Sequence, residues 1–184
     1  AKKDLSRVFQ KLKGFKGGIK QVENNIWVLT PLFIPFHGNK FFNDLNRRLL
    51  GYQIRRAISN LGLQDPVNWT FVPAAATVAG HLGEKCVVYH CVDEYTAFSD
   101  AAGEIRAREA DLLKKSQLVV VSSSKLLESK REQNSNTHFV SHGVDFEHFK
   151  KATAPETTLA PETAALTKAI LGFHGLIADW VDIP

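Results

Sequence analysis

QLVVVSS (117–123) is an unbroken apolar run, Leu118 to Val121, closed by two serines. Before it, EADLLKK (109–115) has helical periodicity. After it, Ser123 and Ser124 are residue types that open helices, and the helix they open runs to about Gln133. A β-branched strand without polar alternation is buried on both faces, and helices on either side of it imply parallel neighbours. Residues 109–133 therefore read as helix, strand, helix, the repeating unit of a parallel α/β sheet.

The pattern extends in both directions. KCVVYHCVD (85–93) reads as a strand ending in polar residues, and Ser99 or Asp100 caps the helix that follows it to Lys115. VNWTFVP (67–73) is the strand before, followed by a short alanine-rich helix reaching Gly83. THFVSHGVD (137–145) is a short strand and turn, and DFEHFKK (145–151) about one helical turn. Upstream, NNIWVLTP (24–31) reads as the first strand and PFHGN (35–39) as a loop. Asn39 N-caps a long helix to about Gly62, with Phe42, Leu45, Leu49, Tyr52 and Ile58 on its apolar side. Strand and helix alternate five times. The expected fold is α/β, a Rossmann-like parallel sheet with helices on both faces.

The chain has 184 residues, 44% of them apolar, enough for one domain with a core and few for two. KATAPETTLAPETAALTK (151–168) reads as a linker, and AILGFHGLIADWVDIP (169–184) as a buried strand, a glycine turn and the opening of a helix. The expected organisation is a basic amphipathic segment at 1–20, a Rossmann-like domain at 21–150, the linker, and the incomplete start of a second domain at 169–184. Leu5, Val8, Phe9 and Leu12 follow helical spacing within 3–13. Residues 1–20 hold seven basic side chains against one acid, which leaves the rest of the +4 chain at net −2.

No apolar run approaches the roughly 18–20 residues of a membrane span. Cys86 and Cys91 flank one strand, roughly 16 Å apart by strand rise, whereas a disulfide needs about 5.5 Å. Free thiols point to a cytoplasmic chain. The basic N-terminal helix is suited to anionic lipid on the inner membrane face, or else is a solvated surface. Arg47, Arg48, Arg55 and Arg56 share a helix face with the same two readings. Nucleic-acid binding is disfavoured, because the basic residues lack interleaved aromatics in a recognised fold. No G-x-G-x-x-G follows a strand, and the phosphate-loop pattern is missing. Cys86, His90 and Cys91 lack paired-cysteine spacing, so no metal is expected. The Asn68 sequon falls in a strand.

Ligands of an open parallel sheet bind beyond the carboxyl ends of its strands. Those ends are 30–39, 73, 90–95, 122–124 and 141–145. They carry His37, Asn39, His90, Asp93, Glu94, Ser122, His142 and Asp145. His90, leaving its strand, can hold one ring proton and offer the other nitrogen to a ligand, or serve as a satisfied structural histidine. Asp93 and Glu94 suit acid/base work or the capping of backbone N–H groups.

VVYHCVDEYTAF (87–98), EADLLKKSQLVVVSSSKL (109–126), HFVSHGVDFEHF (138–149) and LGFHGLIADWVD (171–182) together resemble the family-4 retaining glycosyltransferases of the GT-B fold, particularly bacterial polysaccharide and teichuronic-acid-type transferases. Glu109, followed by the strand ending at Ser122, resembles the family's Glu before an A/S-D-x-V-x-x-S strand. His142-Gly143-Val144-Asp145 resembles its N-G-V-D turn. The likeness covers roughly residues 24–182. It implies two Rossmann-like domains closing on a nucleotide-sugar, the N-terminal one holding the acceptor, with a UDP-linked sugar passing to a glycan or lipid-linked acceptor of the cell envelope. It implies His90 against the donor sugar; Asp93 and Glu94, read from the residues alone, complete the candidate catalytic group. The acceptor side would be His37, Asn39, Ser122, His142 and Asp145. Gly172, His174 and Gly175 would form the loop facing the donor diphosphate, where glycine permits close backbone approach. No cofactor or metal is implied, since the nucleotide-sugar is a substrate. The family's Glu-x7-Glu donor signature and its glycine-rich first loop are not found in the sequence, so a lone half is expected not to turn over substrate. The other readings are a non-catalytic membrane-docking or interaction domain of the same fold, and another GT-B-like enzyme such as a sugar epimerase.

Overall fold

Two short strands and a long helix precede the main sheet. The computed structural model describes residues 18–34, 40–97, 103–158, 160–164, 166–167, 172–173, 175–177 and 181. The helix expected at 3–13, the 35–39 loop, the Ser99/Asp100 cap and the strand expected at 169–171 lie outside the described residues. Gly18–Glu23 (β1) and Ile26–Thr30 (β2) form an antiparallel hairpin. This corrects the reading of 24–31 as the first strand of the parallel sheet. The cause is local: Asn24 and Asn25 make a two-residue turn, and Asn25 takes the left-handed conformation (φ 62°) that asparagine tolerates. A neighbour two residues away closes a loop at little entropic cost, whereas a crossover must close a long one.

Helix α1 spans Lys40–Asn60. Its Asn46 accepts from the Ile34 N–H and donates to the Ile34 carbonyl, both at 2.9 Å. Gln53 holds Leu32 the same way, at 2.8 and 3.1 Å. These amides act as a substitute strand edge for residues 32–34, so Asn46, Gly51 and Ala57 are the buried positions of α1. The expected apolar side is therefore corrected at two places. Leu45 and Tyr52 face solvent, while Phe42, Leu49 and Ile58 are half-buried.

The main sheet is parallel, with Val67–Thr70 (β3), Cys86–Cys91 (β4), Leu118–Val121 (β5) and Thr137–Phe139 (β6) in the order β3-β4-β5-β6. It has four strands where the sequence suggested five, and β6 is the short strand expected at the start of 137–145. The connections are a 3-10 turn at Pro73–Thr77, helix α2 (Gly103–Lys115) and helix α3 (Ser124–Arg131). Ser123 caps α3, its hydroxyl accepting from the Leu126 N–H at 3.2 Å.

A strictly sequential order with right-handed crossovers puts successive connections on one face. The core lies there. Val87, Tyr89, Cys91, Val119 and Val121 point into a cluster with Ala76, Ala79, Leu112, Leu113 and Leu126. Alternation sends Val67, Trp69, Phe71, Val88, His90 and Val120 to the opposite face. There Val88 and Val120 are buried, but Val67, Trp69 and Phe71 are about half-exposed. The sheet is flanked by helices as expected, but the core cluster is built on one face, and Val67, Trp69 and Phe71 leave the other partly uncovered. No helix among the described residues is long and apolar enough to cross a membrane.

The chain divides into two compact units, 1–142 and 143–184. In the second, Asp145 caps helix α4 (Phe146–Lys150), accepting from the His148 N–H at 2.9 Å, and a short helix α5 covers Pro161–Ala164. The helical turn from 145 thus belongs to the second unit, whereas the sequence reading placed the domain boundary at 150. The described residues of 172–177 are exposed and contain no strand.

Candidate functional site

The candidate groups separate onto opposite sides of the sheet. His90 lies on β4 with its ring 5.0 Å from Phe71 and 6.0 Å from Trp69 between centroids. Phe71 is held in place by the Tyr95 hydroxyl, which donates to its carbonyl at 3.0 Å. Burial, and then electrostatic repulsion with nearby His142, lower the His90 pKa below the ordinary histidine value. At neutral pH the ring is uncharged, with one nitrogen to donate and one to accept. An imidazole between two half-exposed aromatic faces can grip a ligand that has both an apolar face and hydroxyl groups.

Asp93 is exposed. Glu94 turns to the core side, where its carboxylate is taken up by other side chains. Its Oε1 accepts from Thr96 Oγ1 at 2.6 Å and from Lys130 Nζ at 2.9 Å. Burial disfavours its charge, but the hydrogen bonds from Thr96 and Lys130 outweigh burial and hold the carboxyl below the usual carboxylate range. A carboxylate so occupied is a poor proton acceptor, so the geometry favours a structural role for Glu94 over acid/base work.

Lys130 also bonds Glu109 Oε2 at 2.9 Å, and Glu109 Oε1 accepts from the Tyr89 hydroxyl at 2.8 Å. Lys130 and Glu109 are each only 3% exposed. Burial opposes the Lys130 charge, but the hydrogen bonds to Glu94 and Glu109 overcome it and raise its pKa. Burial, followed by its contacts with Cys91 and Glu109, raises the Tyr89 pKa far above the usual phenol value. Burial pushes the Cys91 thiol up to about 11, leaving it protonated and unreactive. The cluster joins β4, α2, α3 and the loop after β4. Among the described residues no buried side-chain polar atom lacks a partner.

Sequence reasoning used Glu109 only as part of a motif and passed over Lys130. The signal was present in the helical phase. Glu109 is three and four residues before the buried Leu112 and Leu113, and Lys130 is four after the buried Leu126. A charge in register with an apolar stripe must be paired.

Of the other candidates, His142 lies near His90 and the rest are dispersed. The Ser122 hydroxyl donates to the Val92 carbonyl at 3.0 Å, pinning β5 to the exit of β4. His142 is exposed. Asp145 is occupied as the cap of α4. A Cβ at Gly172 would meet nothing within 4 Å, and one at Gly175 would meet only the Phe173 ring, at 3.0 Å. Neither glycine has the positive φ that only glycine tolerates well, so no backbone strain singles them out. His37, Asn39 and His174 lie outside the described residues. Both cysteines are free, and among the described residues no three His, Cys, Asp or Glu side chains gather into a metal site.

The charge cluster predicts a pH profile. The lowered Glu94 pKa adds stability that is complete above the unfolded value of about 4.3 and is lost as pH falls through the folded value. The raised Lys130 pKa adds stability that is complete below about 10.4 and is lost as pH rises through the folded value. The urea midpoint should therefore be level across the neutral range and fall on both flanks. Glu94→Gln should blunt the acid flank, and an unchanged acid flank would show that other carboxylates govern it.

No family model matches the chain, and no curated protein matches it significantly.

Proposed function

We propose that this chain is the acceptor-side half of a retaining, GT-B-type glycosyltransferase that moves a sugar from a nucleotide donor, UDP-linked, to a glycan or lipid-linked acceptor. The observation that carries the reading is the uncharged His90 between the half-exposed Trp69 and Phe71 rings, at the carboxyl ends of parallel strands. Sugars present C–H faces that pack on aromatic rings and hydroxyls that bond imidazole nitrogens. The four sequence segments that resemble the family supply its other support. In this reading His90 orients the donor sugar, and a second domain binds the nucleotide and diphosphate. The rate comes from positioning and from stabilising the departing diphosphate, with no protein nucleophile. Glu94 and Glu109 hold the floor of the domain and do not touch substrate.

The test compares the full-length protein with its His90→Ala variant, following transfer of labelled sugar from UDP-sugars. The wild type should turn over, and the variant should lose roughly 10²–10³-fold in kcat, the usual cost of one oriented donor. Undiminished transfer by the variant would remove His90 from the site. Micromolar UDP binding by the present chain alone, measured calorimetrically, would show the donor site to be misplaced.

A further inference from the structure

Glu94 and His90 face opposite sides of the sheet, yet one short loop joins them. Residues 92–97 leave β4 and end in a 3-10 turn at Tyr95–Ala97. Glu94 is the hub of this loop. Its Oε1 accepts from Lys130 Nζ at 2.9 Å and from Thr96 Oγ1 at 2.6 Å, and its carbonyl accepts from the Ala97 N–H at 2.9 Å. Tyr95 therefore sits between two residues tied, directly or through one hydrogen bond, to a buried ammonium. At the start of the loop the Ser122 hydroxyl holds the Val92 carbonyl at 3.0 Å, and Arg106 Nη2 donates to the Thr96 carbonyl at a longer 3.4 Å.

The Tyr95 hydroxyl donates to the Phe71 carbonyl at 3.0 Å. Burial, and then the charge of Asp93, raise the Tyr95 pKa, so the hydroxyl keeps its proton. Phe71 needs such an anchor. It lies just past Thr70, the last registered residue of β3, on an edge strand of the sheet. Its ring is 46% exposed, so packing alone constrains it weakly. That ring is nearer to His90 than the Trp69 ring is, at 5.0 against 6.0 Å.

We propose that Lys130 positions the His90 site from across the sheet, through Glu94, Tyr95 and Phe71. Lys130, Glu94 and Tyr95 are positioning residues, and none touches substrate. The path stands on its hydrogen bonds; its kinetic consequence rests on the reading that His90 orients the donor sugar. Position and stability separate at Tyr95. Its hydrogen bond to Phe71 is exposed, so water takes over the carbonyl when the hydroxyl is removed. Stability then changes little while Phe71 is released.

NMR of the His90 ring protons in the whole chain tests the path, the signals being assigned by their absence from His90→Ala. In Tyr95→Phe, which keeps the ring, they should move toward the positions of a histidine without aromatic neighbours. Those of His81, His138 and His148 should stay, and Tm should remain within about 4 °C of wild type. Glu94→Ala should displace the His90 signals the same way, with Lys130 keeping Glu109 as its counter-charge. The double variant should displace them no further than the larger single effect, because the two residues act in series. Unmoved His90 signals in Tyr95→Phe would overturn the proposal, as would displacements that add in the double variant. In the full-length protein, Tyr95→Phe should lower kcat about tenfold with little change in KM. Wild-type kcat in Tyr95→Phe beside a crippled His90→Ala would also overturn it. Absence of transfer by the wild type would overturn the glycosyl-transfer reading instead, and the NMR displacements would still decide the path.

Discussion

Replacing Lys130 with methionine should destabilise the protein by about 3–5 kcal/mol, the cost of breaking a buried ion pair by removing one partner. The stem is kept, so little packing is lost. What changes is electrostatic: Glu109 is left buried with only the Tyr89 hydroxyl and the Cys91 thiol as donors, and Glu94 loses the same cation. For a chain of this length the loss should appear as a fall of roughly 6–20 °C in Tm. Adding Glu109→Leu to Lys130→Met should recover much of it, because an apolar pair of similar volume carries no desolvation penalty. Urea denaturation of the single and double variants decides the matter. A single-variant loss below about 1 kcal/mol would mean that the pair behaves as a surface salt bridge.

Two leucines provide the second large effect. Leu112 on α2 is fully buried in the core cluster that includes Val87, Tyr89 and Val119. Leu112→Ala should cost about 2–5 kcal/mol, from lost transfer energy plus the cavity left behind. Leu45→Ala on α1 should fall within about 0.5 kcal/mol of wild type, since it removes an exposed side chain. From sequence periodicity both leucines belong to apolar helix faces, so the pair isolates what the tertiary contacts decided. Equal costs would show that α1 is turned with Leu45 inward.

The helix–strand–helix pattern around 117–123 was legible because its apolar run, its flanking helical phases and its serine cap all agree. The first strand was misplaced because IWVLT has the same composition whether its neighbour is a local hairpin partner or a distant parallel strand. Only pairing distinguishes these, and a two-residue Asn24–Asn25 turn made the local partner available. Similarly, His90 was legible as a strand-exit histidine, but not its placement between Trp69 and Phe71, which depends on the β3–β4 register.

The sequence by itself determined the class of fold and the position of its core strands, because continuous β-branched runs and helix caps act within a few residues. Tertiary structure alone decided which carboxylates are free to act. Adjacent in sequence, His90, Asp93 and Glu94 look like one group. Strand alternation sends His90 to one face, and the buried Lys130 draws Glu94 to the other. A charge taken out of water is stable only beside its counter-charge, and here that counter-charge lies 36 residues further along the chain.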